Sequence, residues 1–99
     1  MGTLLRVEIL GRMLLGRFAR DHATARRPLA RWEKIVMAAA WKNLADVQGT
    51  FRHADLVGDE IIFNIVGKSY RIAAAVDFKA RTVLITRVQT HAESSKRSR

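Results

Sequence analysis

The chain contains no cysteine, which removes disulfide frameworks, thiolate metal sites and thiol redox chemistry, and makes a reducing cytoplasm the expected setting. Proline occurs once and no low-complexity linker interrupts the 99 residues, so one domain over residues 1–93 with a short basic tail, 94–99, is expected. Long apolar runs are missing as well. The longest spans Ile35 to Trp41, and Arg6, Glu8, Arg12 and Arg17 break up the N-terminal apolar residues, so neither a signal peptide nor a membrane span is expected. Acidic residues are scarce: nine stand against eighteen Lys and Arg, for a net charge of +9. Residues 1–34 carry eight basic and three acidic groups and residues 35–99 carry ten and six, so the excess is not confined to a tail. Such a surface favours an anionic partner, with nucleic acid first and an acidic protein compatible.

What is present reads as α+β. Leu5, Val7 and Ile9 alternate with Arg6 and Glu8, the period of a half-buried strand over Thr3–Ile9. Leu14, Leu15 and Phe18 share one side of a helix over Gly11–Asp21, with Arg12, Arg17 and Arg20 on the other. Leu29, Trp32, Ile35, Val36 and Ala39 repeat at helical spacing behind Pro28, predicting a second helix over Arg27–Ala39. Asn43 is placed to cap a short third helix through Val47, with Gly49 to end it. From Ile61 the period becomes that of strands: Ile61–Val66, Tyr70–Val76 and Thr82–Gln89, joined by turns too short for parallel crossovers. A three-stranded antiparallel meander with helices on one face follows. Ala73, Ala74 and Ala75 allow a close approach by a helix or a ligand.

Few residues remain to carry chemistry. No Gly-rich phosphate loop, nucleophile elbow or CxxC occurs, and His22, His53 and His91 lack the spacing of a helix-borne metal site, so no metal is expected. Arg71 lies early in one strand, Arg87 late in the next and His91 just beyond it, so an antiparallel pair gathers them at one sheet end, with Lys68 in the adjacent turn. Arginines form charge-assisted bonds to phosphate, and histidine exchanges protons near neutral pH, which are the needs of metal-free RNA cleavage. The competing reading is an ordinary strand-end histidine beside arginines that solvate an edge. Trp32 is expected in the core, Trp41 is expected to pack, and Tyr70 is expected to face inward with its hydroxyl near the sheet edge.

Taken in order, Trp41-Lys42 with Asp46 and Phe51, Ala54 to Gly58, Ile62-Phe63-Asn64-Ile65, Gly67, Tyr70-Arg71-Ile72 and Thr90-His91-Ala92-Glu93 resemble the HigB toxins, a branch of the RelE-like mRNA interferases. The resemblance covers most of the chain. It implies a RelE-like fold, endonucleolytic cutting of messenger RNA on translating ribosomes without a cofactor, and a HigA-like helix-turn-helix antitoxin through which operator DNA is reached. By position it implies that Arg71 contacts the scissile phosphate, that His91, Arg87 and Lys68 complete the catalytic set, and that Lys42, Asn64 and Lys96 contact RNA. Two departures stand out. Ser94 and Ser95 replace the Tyr-Asp of relatives before Lys96, and Gly67-Lys68-Ser69 replaces their Gly-Asn-Lys turn. These motivate an alternative, a catalytically attenuated protein that binds RNA, ribosomes or an antitoxin and acts as a corepressor.

Overall fold

A computed structural model describes residues 7–67 and 69–92. Its elements are β1 (Glu8–Leu10), α1 (Met13–Asp21), a 3-10 turn (Ala23–Ala25), α2 (Arg26–Met37), α3 (Leu44–Thr50), β2 (Asp55–Val57), β3 (Glu60–Ile65), β4 (Tyr70–Asp77) and β5 (Thr82–Thr90). The α+β expectation holds. Helix α1 buries Leu15 and Phe18 and leaves Arg12, Arg17 and Arg20 exposed. Helix α2 buries Leu29, Trp32 and Val36, the three-and-four spacing of a single stripe. Pro28 sits in its first turn, where a backbone donor is not required. Asn43 caps α3 as the sequence suggests: its side-chain oxygen accepts from the Asp46 amide at 3.0 Å, while the Asp46 carboxylate accepts from the Lys42 amide at 2.8 Å. Gly49 does not end α3. The helix runs through it to Thr50, because the Thr50 hydroxyl accepts from the Trp41 indole at 3.0 Å and Phe51 is tied back to the Val47 carbonyl at 2.7 Å.

The expected meander forms the middle of a larger, mixed sheet of order β1-β5-β4-β3-β2. Strand β1 joins β5 in parallel with Ile9 opposite Val83, and the three-residue β2 joins β3 antiparallel with Leu56 opposite Ile61. The regular part of the first strand is Glu8–Leu10, and residues 3–6 of the expected strand lie outside the described residues. Gly11 links β1 to α1 at φ +82, and a Cβ there would lie 2.7 Å from the Ile85 carbonyl oxygen, so the crossing over β5 requires glycine.

The helices cover one face of the sheet. Phe63 is fully buried beneath Trp32 and Phe51, with ring centroids 5.3 and 5.2 Å away in edge-on contacts, and Trp41 packs beside them. Trp32 and Trp41 are both core residues, as expected. Among the described residues no polar or charged residue is fully buried.

Strand β5 changes phase once. Ala73 pairs with Arg87 but Ala74 pairs with Ile85, leaving Thr86 as the extra residue of a bulge. Val83 and Ile85 point to the helices before the bulge, and Val88, opposite Ile72, points there after it. Without the inserted residue, Arg87 and Gln89 would face the core; with it they join the open face. The bulge thus decides which side of the sheet carries the charge.

Candidate nucleic-acid interface

Residues paired across strands share a face, so the register of β3, β4 and β5 lines up Asn64, Arg71 and Gln89 in one row on the open side. At the usual strand spacing that row is about 10 Å long. The neighbouring row is Ile62, Ala73 and Arg87. Ala73 is buried yet stands apart from the helix-side core. Beyond the first row, the His91 amide donates to the Ser69 carbonyl at 2.9 Å, which continues the pairing past the end of β5 and sets His91 two positions from Gln89. Arg71 is half-buried and His91 exposed.

Of the site residues expected from sequence, Asn64 and Arg71 come to one end of one face, and His91 follows β5 at that same end of the sheet. Arg87 reaches the same face with its guanidinium already engaged: Nη2 donates to Glu60 Oε1 at 2.7 Å, and the Thr86 hydroxyl lies against both the other Glu60 oxygen and the Ala73 carbonyl. This ion pair is partly exposed, with 40% and 22% of the two side chains accessible, and contributes no more than about 1 kcal/mol. Lys42 does not join the row. It lies before α3 and follows Trp41, which lines a small cavity with Val76, Phe78 and Thr82 at the opposite end of β4. Lys68 and Lys96 lie outside the described residues, as do Ser94 and Ser95.

Several participants are not evident from sequence. Glu60 and Thr86 are brought to Arg87 by the bulge, and the apolar spacing 83, 85, 88 was the available signal of a phase slip. The three histidines, distant in sequence, approach the same sheet end. His53 lines a cleft of about 300 Å3 with Arg52, Asn64 and Gly67. His22 stacks on Phe18 at 4.0 Å and donates from Nδ1 to the Phe18 carbonyl at 3.2 Å; its ring also meets the edge of Tyr70, whose cross-strand partner is Thr90. Tyr70 faces the helices as expected, and its hydroxyl is hydrogen-bonded to Thr24. Among the described residues no group of three or more His, Asp or Glu side chains is arranged to hold a metal ion, and no helix is long and apolar enough to cross a membrane.

The open face therefore combines a guanidinium and two amides on a rigid sheet, with His91 at the same sheet end and exposed Arg27, Arg31 and Arg52 around its β3 edge. Positive groups on a sheet suit the charged backbone and polar edges of a nucleic acid. The HigB_toxin family model, described as the RelE-like toxic component of a toxin-antitoxin system, matches residues 25–96. The matched segment takes in all of this face except β1. No curated protein matches the chain.

Proposed function

This chain belongs to the HigB toxins, RelE-like toxic components of toxin-antitoxin systems, and from that premise we propose that it cuts messenger RNA on translating ribosomes without a metal. The row Asn64–Arg71–Gln89, ending beside His91, is the observation that carries the reading. Arg71 meets the charge that develops on the non-bridging oxygens of the scissile phosphate. The ribose 2′-oxygen attacks the adjacent phosphorus; its O–P bond forms as the bond to the 5′-oxygen breaks, leaving a 2′,3′-cyclic phosphate and a 5′-hydroxyl. The 2′-hydroxyl gives up one proton and the departing oxygen gains one, and His91 serves this transfer. Asn64 and Gln89 offer hydrogen bonds along the same row, with Lys68 and Lys96 as further RNA contacts. The family implies an antitoxin partner. We take it to be a HigA-like helix-turn-helix protein that reads operator DNA and covers the toxin in the cytoplasm.

The test is direct. Transcripts incubated with the protein, alone and on translating ribosomes, both in the presence of a chelator, are expected to yield fragments with cyclic phosphate ends in at least the ribosomal reaction. Intact transcripts in both reactions would overturn the nuclease reading. The engagement of Arg87 by Glu60 favours a second reading, in which the protein binds RNA or antitoxin and acts by occupancy or corepression. Salt-sensitive RNA affinity with no cleavage would select it.

A further inference from the structure

Two clefts lie along the end of β3 that β2 leaves uncovered. Pairing between β2 and β3 stops at Ile62, opposite Asp55, so Asn64 and Ile65 have no strand beside them on that edge among the described residues. One cleft, of about 460 Å3, has Arg27 and Arg31 in its wall, and the other, of about 300 Å3, has Arg52 and His53. Phe51 and Asn64 border both, so the two adjoin and make one groove. Asn64 also stands opposite Arg71 in the row on the open face. The groove therefore starts at the row and leads round the sheet edge to the first turns of α2. Its charge is of one sign. No acidic side chain lines either cleft, and Arg27, Arg31 and Arg52 are exposed and form no ion pair among the described residues. Elsewhere arginines are neutralised within the fold, Arg12 by Glu33 at 3.2 Å and Arg87 by Glu60 at 2.7 Å. Arg27 and Arg31, four residues apart on one helix face, repel each other until an anion lies between them.

We propose that this groove is a track for the sugar-phosphate backbone of single-stranded RNA on one flank of the cut, with successive phosphates on Arg27 and Arg31 and a further one on Arg52. The track rests on the RNA reading for the identity of its ligand, and it adds the path that the strand takes once it has left Arg71. Residues four apart on a helix have Cβ atoms about 6 Å apart, close to one phosphate step along a nucleic-acid strand. The guanidiniums are exposed, so a phosphate reaches them with charge-assisted hydrogen bonds and no change in the core. Clefts of this size admit one strand and exclude a duplex. An acidic peptide meets the same cations, but only a nucleic-acid strand also continues onto the row beside Asn64, where the cut phosphate is held. Phosphate contacts position a strand without reading its bases, so the gain is independent of sequence.

Length dependence makes the test specific. Fluorescence anisotropy on the full-length protein compares two labelled, uncleavable 2′-O-methyl uridine oligomers, a trimer long enough for the row and a dodecamer that also fills the groove. The dodecamer is expected to bind about tenfold tighter or more. Arg27→Gln combined with Arg31→Gln is expected to bring the dodecamer down toward the affinity of the trimer. The same pair should lower the slope of its log affinity on log salt by roughly 1.4, the value of two phosphate contacts on a single strand. Arg17→Gln combined with Arg20→Gln removes equal charge from exposed positions of α1 that line neither cleft, and is expected to leave that slope in place. Both double variants alter exposed side chains and should melt at the wild-type temperature. Equal affinity for trimer and dodecamer, or an equal loss of slope in the α1 variant, would overturn the track. Polyglutamate that binds as tightly as the dodecamer, with the same dependence on Arg27 and Arg31, would overturn it in favour of an acidic protein. Transcripts left intact while the length gain depends on Arg27 and Arg31 would remove the nuclease reading and keep the track; transcripts cut while trimer and dodecamer bind alike would do the reverse.

Discussion

On the helix-covered side of the sheet, Ile61, Phe63, Ile65, Ile72, Ala74, Val83 and Ile85 form a dry layer with Trp32 and the helical leucines; on the open side, the same strands present Glu60, Asn64, Arg71, Arg87 and Gln89. Stability and chemistry are thereby divided between two faces of one backbone. The period of two along β3 and β4 makes the division, and the Thr86 bulge preserves it along β5 by shifting the phase before the arginine arrives. Helix-side substitutions should therefore be felt in folding first, and open-face substitutions in RNA chemistry with the fold intact.

The largest expected effect is on the dry side. Phe63→Ala empties the space among Trp32, Phe51 and Trp41 and is expected to cost about 3–5 kcal/mol of stability, a large share of what a domain this size possesses. Chemical denaturation measures it, and a loss under about 1 kcal/mol would mean that the aromatic cluster is not the centre of the core. Gly11→Ala comes next. Its side chain would meet the Ile85 carbonyl in a backbone conformation that disfavours any Cβ, and a loss of roughly 1–3 kcal/mol is expected in the same assay. Glu60→Gln is the smallest in stability and the most telling for the comparison. Dissolving the ion pair should change stability by less than about 1 kcal/mol. Release of Arg87 should also tighten RNA binding and steepen the slope of log affinity on log salt by roughly 0.7, the value of one added phosphate contact on a single strand. An unchanged slope would show that Arg87 stays out of reach of RNA even when unpaired.

Much of this division is legible in the sequence, and the parts that are not have physical reasons. Alternation identifies β3, β4 and β5 and the inward face of Tyr70, and helical spacing places Trp32 inside. The α3 cap is readable because Asn43 and Asp46 form a local, reciprocal pair. Strand β2, Asp55–Val57, is too short and too exposed to carry a period, and it exists only because β3 offers it an edge. The parallel docking of β1 beside β5 joins segments at opposite ends of the chain, which no local pattern encodes. At the site, the gathering of Arg71 and His91 follows from antiparallel pairing alone. The engagement of Arg87 by Glu60 does not, because it needs the register of β3 against β4 and the bulge in β5 together. Lys42 is placed by sequence only beside Trp41, and its separation from the row depends on where Trp41 packs, which no local pattern encodes.

Single-turnover cleavage of one defined transcript by Arg71→Ala and Arg71→Lys, each shown by circular dichroism to be folded, tests the assignment of chemistry to the open face most directly. A fall of about 100- to 1,000-fold is expected for the alanine variant, as for loss of one donor to a developing oxyanion, with lysine restoring only part because it lacks the planar fork. A folded alanine variant that cuts at the wild-type rate would contradict the account.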